Sequence, residues 1–208
     1  HTESVEIVRD NYGIPHIIGN TPGDCAFGLA ISMYQDHPKA FIDNILTTRG
    51  ELTQHYGSQF LNQDAFIRSL RLVEKTNIAM STISSDIYLF LAGLANGINY
   101  SIENFPENVP ASINVNVLLP ITPSDIYTSS YLKSISHEWN QFVKDAGNNY
   151  LNNNIFPNTQ ADMSNQWVIT PERTVDNALY LLCDPHLPFN GMTASWSAHL
   201  KSLDGSLN

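Results

Sequence analysis

Residues 147–163 constrain what this chain can fold into more than any other stretch. They open Gly-Asn-Asn-Tyr-Leu-Asn-Asn-Asn and are polar, asparagine-rich and turn-prone. Such a run reads as an exposed segment, the kind of place where chains are cut. It divides the sequence into two parts of different character. Residues 1–146 carry apolar positions mostly at helical spacing, whereas 164–208 open with strand patterns.

In the first part, Ser4 to Arg9 alternate polar and apolar, as a half-buried strand does. Asp10-Asn11-Tyr12-Gly13 is a turn cluster and Ile14 to Ile18 reads as a second strand, so a hairpin opens the chain. Thr21 is placed to cap a helix that has Pro22 at its first position. Ala26, Leu29, Ala30, Met33 and Tyr34 give it an apolar face. The pattern stutters at Pro38, resumes through Phe41, Ile45 and Leu46, and stops at Gly50. One helix is expected from about Asn62, with Phe66, Leu70 and Val73 on one face. Another is expected from Ser85 to Asn99. Four prolines make residues 105–125 an irregular crossing, and Ile126 to Val143 read as helix. After the asparagine-rich segment, Gln166–Ile169 and Ala178–Cys183 read as buried strands. Residues 170–177 form the loop between them.

Composition narrows the function. At 208 residues the chain can bury roughly 70% of its unfolded surface and needs no disulfide to fold. Twenty acidic residues against ten basic ones give a formal charge of -10. That charge excludes a general nucleic-acid binder and an anionic membrane surface as partners. No stretch approaches the 18 consecutive apolar residues of a membrane-spanning helix. His1 in place of Met points to a processed or trimmed start. Cys25 and Cys183 have no metal-binding spacing and read as two small buried hydrophobes, with a disulfide as the alternative. Asn99-Tyr100-Ser101 is a sequon that matters only in a eukaryotic secretory host. His16, His37, His55, His137 and His199 show no ligand spacing and read as ordinary structural residues. Arg9-Asp10 reads as an ion pair or cap. There is no HExxH motif, paired-carboxylate motif or phosphate loop.

The chemistry concentrates at Ser164-Asn165-Gln166-Trp167-Val168-Ile169. A serine stands at the junction between the polar segment and a strand. A cut before Ser164 would give that residue both a hydroxyl and a free α-amine. An α-amine has a pKa near 8, far below that of lysine, so it can serve as a base at neutral pH. A nucleophile carrying its own amine as base is an established activation scheme.

Four stretches together resemble the penicillin acylase family of N-terminal-nucleophile hydrolases, which includes the acyl-homoserine-lactone, aculeacin and cephalosporin acylases. The first is Val8-Arg9-Asp10-Asn11-Tyr12-Gly13-Ile14-Pro15-His16-Ile17. The second is Phe27-Gly28-Leu29-Ala30 through Gln35-Asp36, with Arg49-Gly50-Glu51-Leu52 and Tyr56-Gly57. The third is the helix Phe90 to Asn99, ending Gly97-Ile98-Asn99. The fourth is Ser164 to Ile169, with Asp184-Pro185-His186-Leu187 downstream.

The resemblance implies an α+β fold, the αββα sandwich of these hydrolases. Residues 1–146 would be the α-chain-like, mostly helical segment, 147–163 a spacer, and 164–208 the start of a β-chain-like segment. It implies self-cleavage between Met163 and Ser164, and an amidohydrolase that releases an acyl group from a small acyl amide. An acyl-homoserine lactone or a β-lactam side chain is the kind of substrate implied. Ser164 is the nucleophile in this reading, and His186 tunes its amine or hydroxyl. Leu187 lies where an acyl-pocket residue is expected, and an aliphatic residue there favours a fatty acyl chain. The chemistry needs no cofactor, and a structural calcium accompanies the family. The resemblance further implies a periplasmic or secreted location and a longer β-chain as obligate structural partner. Without that partner these 208 residues are expected to be inactive. The rival readings are a non-catalytic relic or binding fragment of the same fold and, more distantly, a serine or metal hydrolase using Asp184 and His186.

Overall fold

The alternating segment at the N-terminus forms the expected hairpin. In a computed structural model, which describes residues 4–145, 164–186 and 196–208, strand β1 (Val5–Arg9) runs antiparallel to β2 (Pro15–Gly19). Asp10 closes the turn, its Oδ1 accepting from the backbone N–H groups of Tyr12 and Ile14 at 2.9 Å each. Arg9 does not pair with this neighbour. Its guanidinium crosses to Asp36, with Nη2 2.9 Å from Oδ1 and Nη1 3.1 Å from Oδ2. Asp36 also accepts from the Trp196 indole N–H at 3.0 Å, so one carboxylate ties the hairpin to the C-terminal segment.

Thr21 caps α1 (Pro22–Asp36) as its sequence predicts, in a reciprocal box with Asp24. The stutter at Pro38 is a joint at His37, after which α2 (Pro38–Arg49) ends at Gly50 in the left-handed conformation, φ 65°. A short helix α3 (Leu52–Tyr56) follows. Asp64 stabilises its start by accepting from the Leu52 and Thr53 N–H groups at 3.1 and 2.7 Å. The single helix expected from Asn62 is two, α4 (Leu61–Ser69) and α5 (Leu72–Met80). The break falls at Arg71, whose φ is 52°. It allows Ile67 and Leu72 to bury against Leu132 together.

Helix α6 (Ser85–Asn104) runs past its expected end at Asn99. After the short α7 (Val115–Leu118), α8 (Pro123–Asp145) starts from a second capping box made by Thr122 and Asp125. Helices α1 and α6 cross so closely that glycine is required. A Cβ on Gly93 would lie 2.2 Å from the Gly23 carbonyl oxygen, and one on Gly97 would lie 2.4 Å from that of Phe27. Gly93→Ala must push two backbones apart and is expected to destabilise the protein by about 1–3 kcal/mol, read as a shifted urea midpoint. The helical core beneath this crossing includes Tyr34, Ile42, Leu46, Ile98 and Leu118.

The proline-rich crossing at 105–125 is held by two side chains from the motifs. Asn99 grips both backbone groups of Ile121, donating from Nδ2 and accepting at Oδ1, each at 2.8 Å. Arg49 forks onto Asp125 with two 2.8 Å bonds and also donates to the Leu118 and Pro120 carbonyls. Both partners of the pair are largely buried. The sequon asparagine is therefore occupied by structure.

Beyond residue 163, β3 (Ser164–Ile169) and β4 (Tyr180–Pro185) form an antiparallel hairpin. A further strand, β5 (His199–Ser202), lies parallel to β2, giving a three-stranded sheet in the order β1-β2-β5. Its four residues carry no strand pattern of their own and become a strand by pairing with β2. The cysteines do not meet. Cys25 is buried beside the Lys201 carbonyl, while Cys183 is exposed on β4, and both are free thiols. The expectation of two buried cysteines holds for Cys25 alone. The chain is α+β and helix-rich. Among the described residues no helix is long and apolar enough to cross a membrane.

Candidate active site

The β3–β4 hairpin carries the residues singled out from the sequence. Its register sets Ser164 opposite Pro185, Asn165 opposite Asp184, and Ile169 opposite Tyr180. The connecting loop is fixed from within. Thr174 Oγ1 donates to the Pro171 and Ala178 carbonyls, and Asp176 accepts from the Tyr180 hydroxyl. Ser164 is the first residue of β3, two residues earlier than the apolar pattern suggests, and it abuts the segment that precedes it.

His186 follows directly on β4. Its Nε2 lies 2.9 Å from Asp184 Oδ2 and 3.2 Å from Asn165 Nδ2. Donation from Nε2–H to the carboxylate leaves the neutral ring with its lone pair on Nδ1. The hydrogen bond from His186, together with the Asn165 amide, holds the Asp184 carboxyl below the usual carboxylate range, so Asp184 is ionised at neutral pH. The arrangement is a histidine oriented by a carboxylate, a unit suited to accepting and returning a proton.

Successive strand residues point to opposite faces. Asn165, Asp184 and His186 therefore share one face, while the register puts Ser164 with Gln166 and Cys183 on the other. The backbones of Ser164 and His186 lie at the same end of the hairpin. Met163 and Leu187, the other two expected site residues, lie outside the described residues, as does the spacer between 147 and 163.

The strands expected to be buried are instead exposed. Trp167, Val168, Leu181 and Leu182 are each more than half accessible, with Trp167 at 63%. A hairpin this apolar with both faces open among the described residues has a surface built to be covered. Three grooves among the described residues are lined by residues between Asp36 and Glu74, on α1 to α5 and their joints. Among the described residues no three His, Cys, Asp or Glu side chains converge.

The hairpin that opens the chain, the glycine-tight α1–α6 crossing and the serine-led strand all fall within one match. A family model described as penicillin amidase matches residues 4–206, and the chain belongs to that family. Among individual relatives, the chain is similar to the acyl-homoserine lactone acylase PvdQ of Pseudomonas fluorescens (strain Pf0-1). The two are 21% identical over 229 residues, covering 98% of this chain and 29% of that protein. Penicillin G acylase of Escherichia coli is 26% identical over 107 residues, covering 51% of this chain and 13% of that protein. The fold is shared with a thermostable penicillin G acylase from Alcaligenes faecalis. That likeness has a TM-score of 0.56 and 19% identity, and covers 68% of this chain and 76% of that one. The chain thus spans less than a third of the length of these two curated relatives.

Proposed function

We propose that this chain is the N-terminal part of an acylase that hydrolyses a small acyl amide through Ser164 once the Met163–Ser164 bond is cut. The observation that carries the reading is positional. Strand β3 begins at a serine directly after an asparagine-rich segment, and its hairpin partner delivers a histidine oriented by a carboxylate to the same end. The family match supports the reaction class.

The chemistry follows from the residues. Cleavage leaves Ser164 with a free α-amine, neutral in a large fraction of molecules near pH 8. That amine takes the proton of Ser164 Oγ, directly or through one water, as Oγ attacks the amide carbonyl. The tetrahedral intermediate collapses to an acyl-enzyme as the protonated amine product departs. Water, deprotonated by the same α-amine, then attacks the ester and frees the acid. His186, held by Asp184, tunes the basicity at this end of the hairpin. Leu187 contributes an aliphatic wall to the acyl site. A fatty acyl amide such as an acyl-homoserine lactone is favoured over a β-lactam side chain, in keeping with the name of the relative matched over 98% of the chain. A further β-chain segment covers the exposed faces of the hairpin and supplies the remaining catalytic donors. The mature protein is periplasmic or secreted.

Intact-mass spectrometry on the protein expressed from its full reading frame tests this. Two chains are expected, the second beginning at Ser164. A single folded, uncut chain would remove the N-terminal nucleophile.

A further inference from the structure

Two histidines that look unremarkable in the sequence are brought together by the fold. His16 on β2 and His199 on β5 are direct partners in the parallel register, although 183 residues separate them. Their Nδ1 atoms are 3.1 Å apart, with the rings at 70° to one another. On the far side of His16, Nε2 faces Asp10 Oδ2 at 3.6 Å. A carboxylate on that side favours the proton on Nε2, which leaves Nδ1, the atom facing His199, as the unprotonated nitrogen.

Two nitrogens at this spacing can share one cation as readily as one hydrogen bond. With metal–nitrogen bonds of about 2.0–2.1 Å, two nitrogens this far apart subtend an angle of roughly 100° at a cation between them. That lies between square-planar and tetrahedral coordination. Imidazole donors suit zinc, nickel and copper and are poor ligands for calcium, which takes oxygen. We propose that His16 and His199 form a two-histidine site for a divalent cation of the zinc class, with Asp10 as the outer partner that orients His16. Since no third such side chain converges among the described residues, water fills the remaining positions and the site is open. The site is separate from the β3–β4 hairpin and does not depend on the proposed acylase chemistry. Its consequence is mechanical: the cation clips the four-residue β5 to β2.

The test uses untagged protein from the full reading frame, stripped with chelator and titrated with Zn²⁺ against a chromogenic competitor. The expected result is one zinc equivalent per protein, with affinity at least tenfold weaker in His199→Gln and likewise in His16→Gln. Asp10→Asn keeps the oxygen that caps the turn and removes the charge facing His16. It is expected to weaken zinc about tenfold. Zinc should raise the melting temperature of the parent and leave both histidine variants unmoved. Circular dichroism without zinc verifies that the variants fold. The two histidine variants act on different strands, so one that misfolds leaves the other as the reading. Absence of zinc binding in the parent, or equal affinity in a folded histidine variant, overturns the proposal.

Discussion

Replacing Ser164 by alanine in the full-length protein is expected to leave one uncut chain and to reduce amide turnover to background. Both effects have one cause. The Ser164 hydroxyl is the group proposed to attack the preceding peptide carbonyl during maturation and the substrate carbonyl during turnover, and alanine removes it from both reactions. The expected loss is a thousandfold or more, on the scale seen when an attacking group is deleted. Loss of one hydroxyl removes little packing, so the variant should still fold, as circular dichroism would verify. Ser164→Cys keeps a nucleophile at the same place and should restore some cutting. Normal processing of the alanine variant would remove Ser164 from the mechanism altogether.

The second large effect is structural. Arg49→Met is expected to cost about 3–5 kcal/mol, because it strands the Asp125 carboxylate in a largely buried place. It also frees the Leu118 and Pro120 carbonyls that Arg49 holds. The double variant Arg49→Met with Asp125→Leu should recover much of that loss, falling short by about 1 kcal/mol for the helix cap that Asp125 also provides. The same pair sets an acid limit. Burial pushes the Asp125 carboxyl up, but the Arg49 fork and Thr122 outweigh it and leave the carboxyl below the ordinary aspartate value. A group lowered in the folded state stabilises above its unfolded pKa of about 3.9 and loses that contribution as pH falls through its folded value. Urea midpoints measured from pH 6 down to pH 2 should fall steeply in the parent. In Arg49→Met they should fall less.

The parts of this fold that the sequence reveals are those fixed by neighbours along the chain. The Asp10–Gly13 turn, the Thr21 cap and the Gly50 stop each rest on contacts a few residues away. So does the periodicity of α6. Features decided by distant partners are invisible. Arg9 chooses Asp36 over the adjacent Asp10, because the end of α1 lies beside the turn. The break at Arg71 answers to Leu132 on another helix. Among the described residues strand β5 pairs with β2 alone, and that pairing brings the His16–His199 contact, which no spacing along the chain could signal. At the candidate site, the serine before a strand and the Asp-Pro-His-Leu run could be read directly. The pairing of His186 with Asp184 and Asn165 could not, because it depends on the hairpin register. The exposure of Trp167 and Cys183 differs from expectation for a related reason. Apolar patterning says that a surface is to be covered, and does not say by which residues.

The parallel ladder between β2 and β5 gives the order of events a direction. Its partners are 183 residues apart, and in a continuous chain their meeting is a loop closure whose entropy grows only slowly with length. If the Met163–Ser164 bond is cut, the two strands belong to separate polypeptides and the same ladder becomes a bimolecular joint. The tether, and with it the effective concentration it supplied, is then gone. A cut protein unfolded in dilute solution would regain this sheet at a rate that depends on protein concentration, while the uncut form would not. Such a cleavage after folding would work as a ratchet, leaving a structure easier to reach than to rebuild.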